Sequence, residues 1–283
     1  MARANSEHEV LKRYSPRLVR WFARWLRGYF RRNFDGVRMA RAGAPPEETA
    51  DPLIVYTNHP SWWDPIHFLL LARTVMPGRR MFGPFDADAL SKYPLFRRLG
   101  GFGVERSTRR GAVEFLRTSR AILASPDSSL WITAQGEFSD PRSRPVVLQP
   151  GLAHLVRELD RGVVVPLAVE YPFWNERHPV ALSFFGRSMR AADVGADSVE
   201  EVNDLLARRL AETMDALGQE AAPSGVVFPV GSEVLGDLVD PVGEQGDLYL
   251  GRTGVGGVYD SVRRFKAWIR GRRFDSAHGD DRR

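Results

Sequence analysis

The alternation of short apolar segments with longer amphipathic ones, between residues 53 and 217, limits the fold more than any other feature of this sequence. The apolar segments have the length of buried strands, and the segments between them have helical periodicity. Strands that alternate with helices at this spacing are typical of an α/β fold with a mostly parallel sheet flanked by helices. The predicted strands are 53–57, 80–82, 101–104, 130–133, 163–169 and 180–184, and the predicted helices are 65–73, 87–99 with an interruption at Pro94, 108–124, 151–159 and 198–217.

An N-terminal amphipathic helical segment precedes this region and begins at Ser15-Pro16, which is a helix start signal. No acidic residue occurs between positions 10 and 34, so residues 12–32 carry a charge of +8. The pattern fits a surface helix that packs on its own domain, and it fits a helix in the headgroup layer of an anionic membrane. The two interpretations are compatible. One face carries Leu18, Trp21, Phe22, Trp25, Leu26 and Tyr29, and the opposite face carries Arg17, Arg20, Arg24, Arg27 and Arg31.

The C-terminal part of the chain differs in composition from the middle. Glycine and proline are dense over 221–257 and periodicity is lost, which predicts a loop-rich extension. Residues 258–274 form a second basic amphipathic segment, predicted as a helix. Residues 12–32 carry +8 and residues 258–273 carry +5, whereas the whole chain has a net charge of only +5. The remaining residues therefore sum to −8, so the body of the protein is acidic and its basic charge is concentrated in two segments. The expected organisation is a membrane-surface helix in 1–48, an α/β domain in 49–220, and a loop-rich connection with a basic helix in 221–283.

Several functions are excluded by what the sequence lacks. It contains no cysteine, which removes disulfides, thiolate metal sites and a cysteine nucleophile. No stretch approaches the roughly 18 apolar residues of a membrane-spanning helix, and residues 1–13 lack the apolar region of a signal peptide. We therefore expect a cytoplasmic protein, peripheral on the inner face of the cell membrane and in contact with anionic lipid. On this interpretation, removal of residues 1–32 releases the protein from the membrane and leaves a folded domain.

A histidine and an aspartate separated by four residues follow the first predicted strand. Pro60 after His59, and Pro65 after Asp64, favour a tight turn into a helix with Asp64 as its N-cap. Such a turn can fold the carboxylate back onto the imidazole, which gives a histidine base oriented by an aspartate. A helix-capping aspartate beside a turn histidine would produce the same spacing. His67, one turn further, is expected to pack on the same helix.

Four blocks in this order resemble those of the glycerolipid acyltransferase family, of the lysophosphatidic acid type. The first is the pair His59 and Asp64. The second, a glycine-led strand ending in arginine, is similar to 101–106 (GFGVER), and the fourth, a valine-rich strand around a proline, is similar to 164–169 (VVPLAV). The third is a proline-glutamate-glycine turn followed by threonine and arginine. It is matched only in part by 133–139 (TAQGEFS), where Ala134 replaces the proline, Gln135 the glutamate and Phe138 the arginine.

The resemblance implies a substrate-binding set around the histidine. Glutamine at position 135 keeps an acceptor oxygen but has no charge, so a role that needs a carboxylate there is in doubt. Two arginines reappear slightly later, and with the arginine of the second block they would surround a phosphate through forked hydrogen bonds. For Arg142 and Arg144 the alternative is a solvated loop, and for Gly136 it is a plain turn. The predicted substrate-binding residues are Arg106, Gln135, Gly136, Arg142 and Arg144.

The family implied by these blocks transfers a fatty acyl group from a thioester, either acyl-CoA or an acyl carrier protein, to a hydroxyl of a lysophospholipid-like acceptor at the membrane surface. His59 would be the general base, Asp64 would fix its tautomer, and amides near Gly136 or an adjacent arginine would stabilise the oxyanion. We expect no metal, no cofactor beyond the thioester co-substrate, and no covalent acyl-enzyme.

Two alternatives to this function remain open. One is acylation of a non-phosphorylated acceptor, such as a glycolipid or a carotenoid glycoside. The other is a non-catalytic protein that binds a membrane surface or a nucleic acid. Nucleic-acid binding is disfavoured because aromatic and basic residues lie on opposite faces of the N-terminal helix, whereas single-strand binders interleave them along one groove. We therefore expect no nucleic-acid partner.

Overall fold

The computed structural model describes residues 7–40, 42–43, 45, 51–174, 177–194, 198–221 and 240–242. These residues form a nine-stranded, mostly parallel sheet flanked by helices, in the order β4-β3-β5-β2-β6-β7-β1-β9, with β8 paired to β6. The strands are β1 (Gly36–Ala40), β2 (Leu53–Thr57), β3 (Arg80–Asp86), β4 (Gly101–Val104), β5 (Ser128–Thr133), β6 (Val163–Glu170), β7 (Val180–Phe185), β8 (Met189–Arg190) and β9 (Asp240–Val242). The helices are α1 (Glu7–Arg13), α2 (Pro16–Asn33), α3 (Asp64–Val75), α4 (Ala87–Lys92), α5 (Leu95–Arg98), α6 (Arg109–Leu123), α7 (Gly151–Arg157) and α8 (Val199–Ala221), with a 3₁₀ turn at Ala191–Val194.

The five strands from β4 to β6 are parallel, and this arrangement creates the edge at which the candidate site lies. Every ladder among them is parallel, so their carboxyl ends meet at one edge of the sheet. The strand β2 lies between β5 and β6 and is wholly buried, as a central strand of a helix-covered parallel sheet should be. The loop after β2 therefore emerges near the middle of the edge where ligands bind in open α/β sheets.

The N-terminal helix α2 packs on the domain through a stripe that is rotated from the predicted one. Its buried residues recur at three- and four-residue steps: Val19, Phe22, Leu26 and Phe30. These side chains belong to the same core cluster as the sheet. Trp21 and Trp25 are instead 59% and 48% exposed. Removal of residues 1–32 would strip these side chains from the core, which argues against the expectation that this deletion leaves a folded domain.

Most of the predicted elements are present, with boundaries that shift by a few residues. The helix α1, the strands β1, β8 and β9, and the 3₁₀ turn at Ala191–Val194 were not predicted. Asp64 is not the N-cap of α3 but its first helical residue, and Trp63 stands at the cap position without a side-chain cap. Most of the predicted loop over 221–257 and the whole predicted helix over 258–274 lie outside the described residues. No helix within the described ranges has the length and apolarity needed to cross a bilayer.

Candidate active site

Asn58 fastens the loop after β2 to the neighbouring strand β6. Its side-chain amide donates to the carbonyl of Val169, and its carbonyl oxygen accepts from the Val169 N–H, each at 2.9 Å. The side chain thereby replaces the next backbone pair of the ladder at the point where β2 ends. It also fixes the position of His59, which follows it, relative to the end of β6.

His59 and Asp64 are in direct contact across the turn that joins β2 to α3. The Nδ1 atom of His59 lies 2.6 Å from Oδ2 of Asp64. Because a carboxylate only accepts hydrogen bonds, His59 Nδ1 carries the proton and Nε2 keeps its lone pair. The side chain of Asp64 is fully buried, whereas that of His59 remains 13% exposed. The predicted pairing of the two residues is therefore present in the structure.

Three donors converge on the buried carboxylate of Asp64. Besides His59, the backbone N–H of Ser61 donates to Oδ2 at 3.2 Å, and the hydroxyl of Tyr171 donates to Oδ1 at 2.7 Å. Burial raises the pKa of Asp64, while the hydrogen bonds from His59 and Tyr171 act in the opposite direction. The carboxylate thus has every expected partner for a group that holds a histidine in one tautomer.

Gln135 and Gly136 shape the backbone of the site. Gln135 is 8% exposed, and its Oε1 accepts the backbone N–H of His59 at 3.1 Å. Gly136 has a φ of +76°, and its N–H donates to the carbonyl of Thr133 at 3.1 Å. A Cβ at position 136 would lie 2.8 Å from the side chain of Gln149. Gln135 therefore positions His59, and Gly136 serves a turn that other residues fit poorly.

The three predicted phosphate-binding arginines are each engaged with a carboxylate. Arg106, which follows β4, lies 3.3 Å from Asp86 at the end of β3. Arg142 makes two hydrogen bonds to Asp140, of 2.9 and 2.7 Å. Arg144 pairs with Asp215 of α8. Arg142 and Arg144 both act on the carboxyl of Glu170 at the end of β6 and partly oppose the burial that raises its pKa.

Arg106 is also separated from the other two arginines along the sheet. The strand that precedes it, β4, is four positions from β6, where Glu170 lies, or about 19 Å at the usual strand spacing. The structure therefore does not bring Arg106, Arg142 and Arg144 together around one anion.

Three exposed aromatic side chains lie on the loops that leave β2, β5 and β6, at the edge of the sheet where His59 lies. Trp62 and Phe138 are each 62% exposed, and Phe173 is 51% exposed. The ring of Phe138 lies 4.2 Å from that of His59, centroid to centroid. The backbone N–H of Ser139 donates to the carbonyl of His59 at 3.0 Å, which holds the Phe138 loop against the imidazole. We call these three side chains the aromatic rim.

Sequence reasoning missed Asn58 and Tyr171, and it assigned His67 only to packing. The partner atoms of Asn58 and Tyr171 lie 111 and 107 positions away along the chain, so no local pattern marks them. His67 does pack within α3, but its Nδ1 also lies 3.1 Å from the hydroxyl of Tyr171. Within the described ranges, no three histidine, aspartate or glutamate side chains are grouped as a metal site requires.

Comparison with known proteins places the chain in a family. A search of curated proteins gave no match. The chain is similar to the crystal structure of the 1-acyl-sn-glycerophosphate (LPA) acyltransferase PlsC from Thermotoga maritima, with 14% identity and a TM-score of 0.48 over 72% of this chain and 82% of that one. Residues 32–170, which include His59, Asp64 and Gln135, match the family model described as Acyltransferase. Residues 32–170, within which the histidine and the aspartate are in contact, therefore belong to the acyltransferase family, and the protein is an acyltransferase enzyme.

Proposed function

We propose that the protein transfers a fatty acyl group from an acyl thioester to a hydroxyl of a lysophospholipid-like acceptor at a membrane surface. The observation that carries this proposal is the contact between His59 Nδ1 and Asp64 Oδ2, which leaves Nε2 of a partly exposed imidazole as a base. A neutral imidazole is suited to take a hydroxyl proton near pH 7.

The reaction needs one proton acceptor and no covalent enzyme intermediate. Nε2 of His59 takes the hydroxyl proton as the acceptor oxygen attacks the thioester carbonyl carbon. The tetrahedral intermediate collapses, the carbon–sulfur bond breaks, and the proton passes from Nε2 to the departing thiolate. Asp64 stabilises the imidazolium between these two transfers, because its carboxylate accepts the Nδ1 hydrogen.

The oxyanion of the intermediate requires hydrogen-bond donors close to His59. The N–H of Gly136 is already bonded to Thr133 and is not available for this role. The next two backbone amides, of Glu137 and Phe138, have no hydrogen-bond partner among the described residues. They belong to the loop that Ser139 fastens to His59, so we assign the oxyanion to them.

The aromatic rim supports a lipid as the acceptor. Large apolar side chains exposed around a polar dyad lose contact with water when a hydrocarbon chain covers them, which favours binding by about 25 cal/mol per Å² of apolar surface. Trp62, Phe138 and Phe173 supply such surface on the three loops that border His59. A water-soluble acceptor would gain little from this rim.

A second candidate acceptor, one without a phosphate group, is favoured by the charges beside the site. Arg142 and Arg144 face Asp140, Asp215 and Glu170, so this cluster has two positive and three negative groups. The position where the family's third block has an arginine is the uncharged Phe138. An uncharged ring, such as that of a sugar, would stack on Phe138 without needing a cation.

The experiment that tests the proposed function is product analysis with a panel of acceptors. Purified protein is mixed with acyl-CoA or an acyl carrier protein donor, and with lysophosphatidic acid, lysophosphatidylcholine or a single-chain glycolipid. We expect a new ester by mass spectrometry, and a rate that falls on the order of 10²–10⁴-fold in His59→Ala. The exposed His154 of α7 provides the matched control, and His154→Ala should retain the wild-type rate. An ester that forms equally in both variants would contradict the role of His59.

The two acceptor classes are distinguished by one further variant. Phe138→Arg restores a cation beside His59, so it should raise the rate with a phosphate-bearing acceptor relative to the glycolipid. A rate ratio that does not change would show that residue 138 does not contact the headgroup.

We also propose that α2 contacts an anionic membrane on its cytoplasmic face. The exposed indoles of Trp21 and Trp25 suit the interfacial layer, and exposed arginines of the same helix suit lipid phosphates. Because α2 also contributes to the core, the test uses surface substitution and not deletion. Replacing both Trp21 and Trp25 by serine should reduce sedimentation with phosphatidylglycerol vesicles. The matched control is Val113→Ser, an exposed apolar side chain on α6, and an equal reduction there would contradict the proposal.

A further inference from the structure

A chain of four hydrogen-bonded side chains extends from His59 into the protein interior. His59 donates to Asp64, and Tyr171 donates to the other oxygen of that carboxylate at 2.7 Å. Behind Tyr171, His67 Nδ1 lies 3.1 Å from the tyrosine oxygen. The four residues come from the turn after β2, from α3 and from the end of β6, so the chain connects three elements of the fold.

Only one arrangement of protons satisfies every donor in this chain. The Asp64 carboxylate accepts, so the hydroxyl hydrogen of Tyr171 points toward it. The Tyr171 oxygen can then only accept from His67, which places the hydrogen of His67 on Nδ1. His67 Nε2 is buried and has no hydrogen-bond partner, which suits a nitrogen without a hydrogen. The imidazole of His67 is fully buried, and burial lowers its pKa to about 3, so it remains neutral.

Taken with the proposed function, this geometry leads us to infer that Tyr171 is a positioning residue of the acyl transfer, and that His67 holds the Tyr171 oxygen in place. Tyr171 acts through Asp64 and does not need to touch the substrate. Its hydrogen bond on Oδ1 orients the carboxylate so that Oδ2 remains directed at His59. It also withdraws charge from the carboxylate, which limits how strongly Asp64 stabilises the imidazolium of His59.

Within the described ranges, the contacts of this network outside its own four residues are mainly with aromatic rings. His59 and Tyr171 are the titratable groups that act on Asp64, and the Ser61 N–H is its third donor. Phe34 of the loop after α2 and Trp63 lie against the ring of Tyr171, at 6.1 and 5.5 Å between centroids. Phe30 of α2 lies 6.0 Å from the ring of His67. A change at Tyr171 should therefore reach His59 only through Asp64.

The test compares two buried tyrosine hydroxyls, one inside the network and one outside it. Tyr171→Phe removes the donor to Asp64. Tyr56→Phe is the matched control, because the buried Tyr56 hydroxyl donates to the carbonyl of Leu206 in α8 at 3.2 Å. For Tyr171→Phe we expect kcat to fall about 10-fold or more, as for loss of a hydrogen bond to a charged group. The acid limb of the kcat/KM profile should move to higher pH, because a more basic Asp64 stabilises the imidazolium. For Tyr56→Phe, neither quantity should move.

Two further measurements separate positioning from simple structural support. In the Asp64→Asn background, Tyr171→Phe should cause little additional loss of kcat, because the carboxylate it positions is gone. Placing 3-fluorotyrosine at position 171, which keeps the volume and strengthens the donor, should move the acid limb to lower pH even if Tyr171→Phe does not fold. An unchanged pH profile in both variants, or fully additive losses with Asp64→Asn, would overturn the inference. Because these are comparisons among active variants, an inactive wild-type protein would refute the proposed function instead.

Discussion

Replacement of Asn58 by leucine should be among the most damaging single substitutions near the site. The side chain is 1% exposed and makes two hydrogen bonds of 2.9 Å, both to the backbone of Val169. Leucine has a similar volume, so the change opens no large cavity, but it leaves the N–H and the carbonyl of Val169 buried without partners. Each such group costs about 1–3 kcal/mol, so the free energy of unfolding should fall by roughly 2–6 kcal/mol. Since small domains have about 5–15 kcal/mol in total, the loss is readily measured.

The assay is urea unfolding at pH 7, with two variants that test the reasoning. Asn58→Asp keeps one acceptor for the Val169 N–H but turns a second oxygen toward the Val169 carbonyl, so it should also be destabilised although its shape is unchanged. Asn33→Leu removes a single, partly buried hydrogen bond to Tyr29 at the end of α2, and should cost less than about 1.5 kcal/mol. If the free energy of unfolding of Asn58→Leu or Asn58→Asp lies within about 0.5 kcal/mol of the wild-type value, which is the usual effect of a surface substitution, the two hydrogen bonds between Asn58 and Val169 do not stabilise the fold as argued.

Three other outcomes follow from contacts of the site and of α2. Gln135→Met should lower kcat and cost about 1–3 kcal/mol in urea unfolding, because the His59 N–H loses its acceptor, whereas Gln135→Glu keeps an acceptor and should stay closer to wild type. His67 has a folded-state pKa of about 3 against 6.5 when unfolded, so the unfolded state binds the extra proton and stability falls as pH drops through that window, by about 1.4 kcal/mol per pH unit. Urea unfolding at pH 7 and pH 5 should show this loss of stability in the wild-type protein but not in His67→Gln. Asp64, whose pKa is raised, contributes in the opposite direction, but it does so equally in both proteins. An equal pH dependence in the two proteins would refute the role of His67. Leu26→Ala should cost about 2–5 kcal/mol in the same assay, since the side chain is fully buried, whereas the surface variant Trp25→Ala should cost far less.

Local signals in the sequence were sufficient for the elements that carry the site. The predicted strand at 101–104 has the observed bounds, and the helix predicted over 108–124 is capped by Thr108, whose hydroxyl accepts from the Gly111 N–H. At the start of the helix predicted over 198–217, Ser198 and Glu201 make the reciprocal hydrogen bonds of a capping box. These features depend on residues three or four positions apart, so a sequence pattern can display them.

Features that depend on distant partners were not predictable in the same way. The strand β1 pairs with β7, about 140 positions later, and contains the charged Arg38, which obscures its apolar character. The rotated face of α2 has a similar cause. Several aromatic residues lie around that helix, and only the packing against the domain decides that Phe30 is buried and Trp25 is not. Periodicity predicts that a helix has an apolar side, but it does not fix the angle at which that side meets its partner.

Two of the three departures in the third block, Gln135 and Phe138, affect different aspects of the site. The Oε1 atom of Gln135 accepts the backbone N–H of His59, and a glutamate at this position would offer an equivalent oxygen. The doubt raised by the missing charge therefore does not extend to this backbone contact. At position 138 the change is chemical, because an exposed aromatic ring lies against the imidazole where the resemblance leads one to expect a cation. Under the proposed function, the geometry that makes His59 a base is retained, while the surface that would meet the acceptor differs. Chemistry and acceptor choice can thus diverge independently in this fold, since one depends on buried hydrogen bonds and the other on an exposed loop.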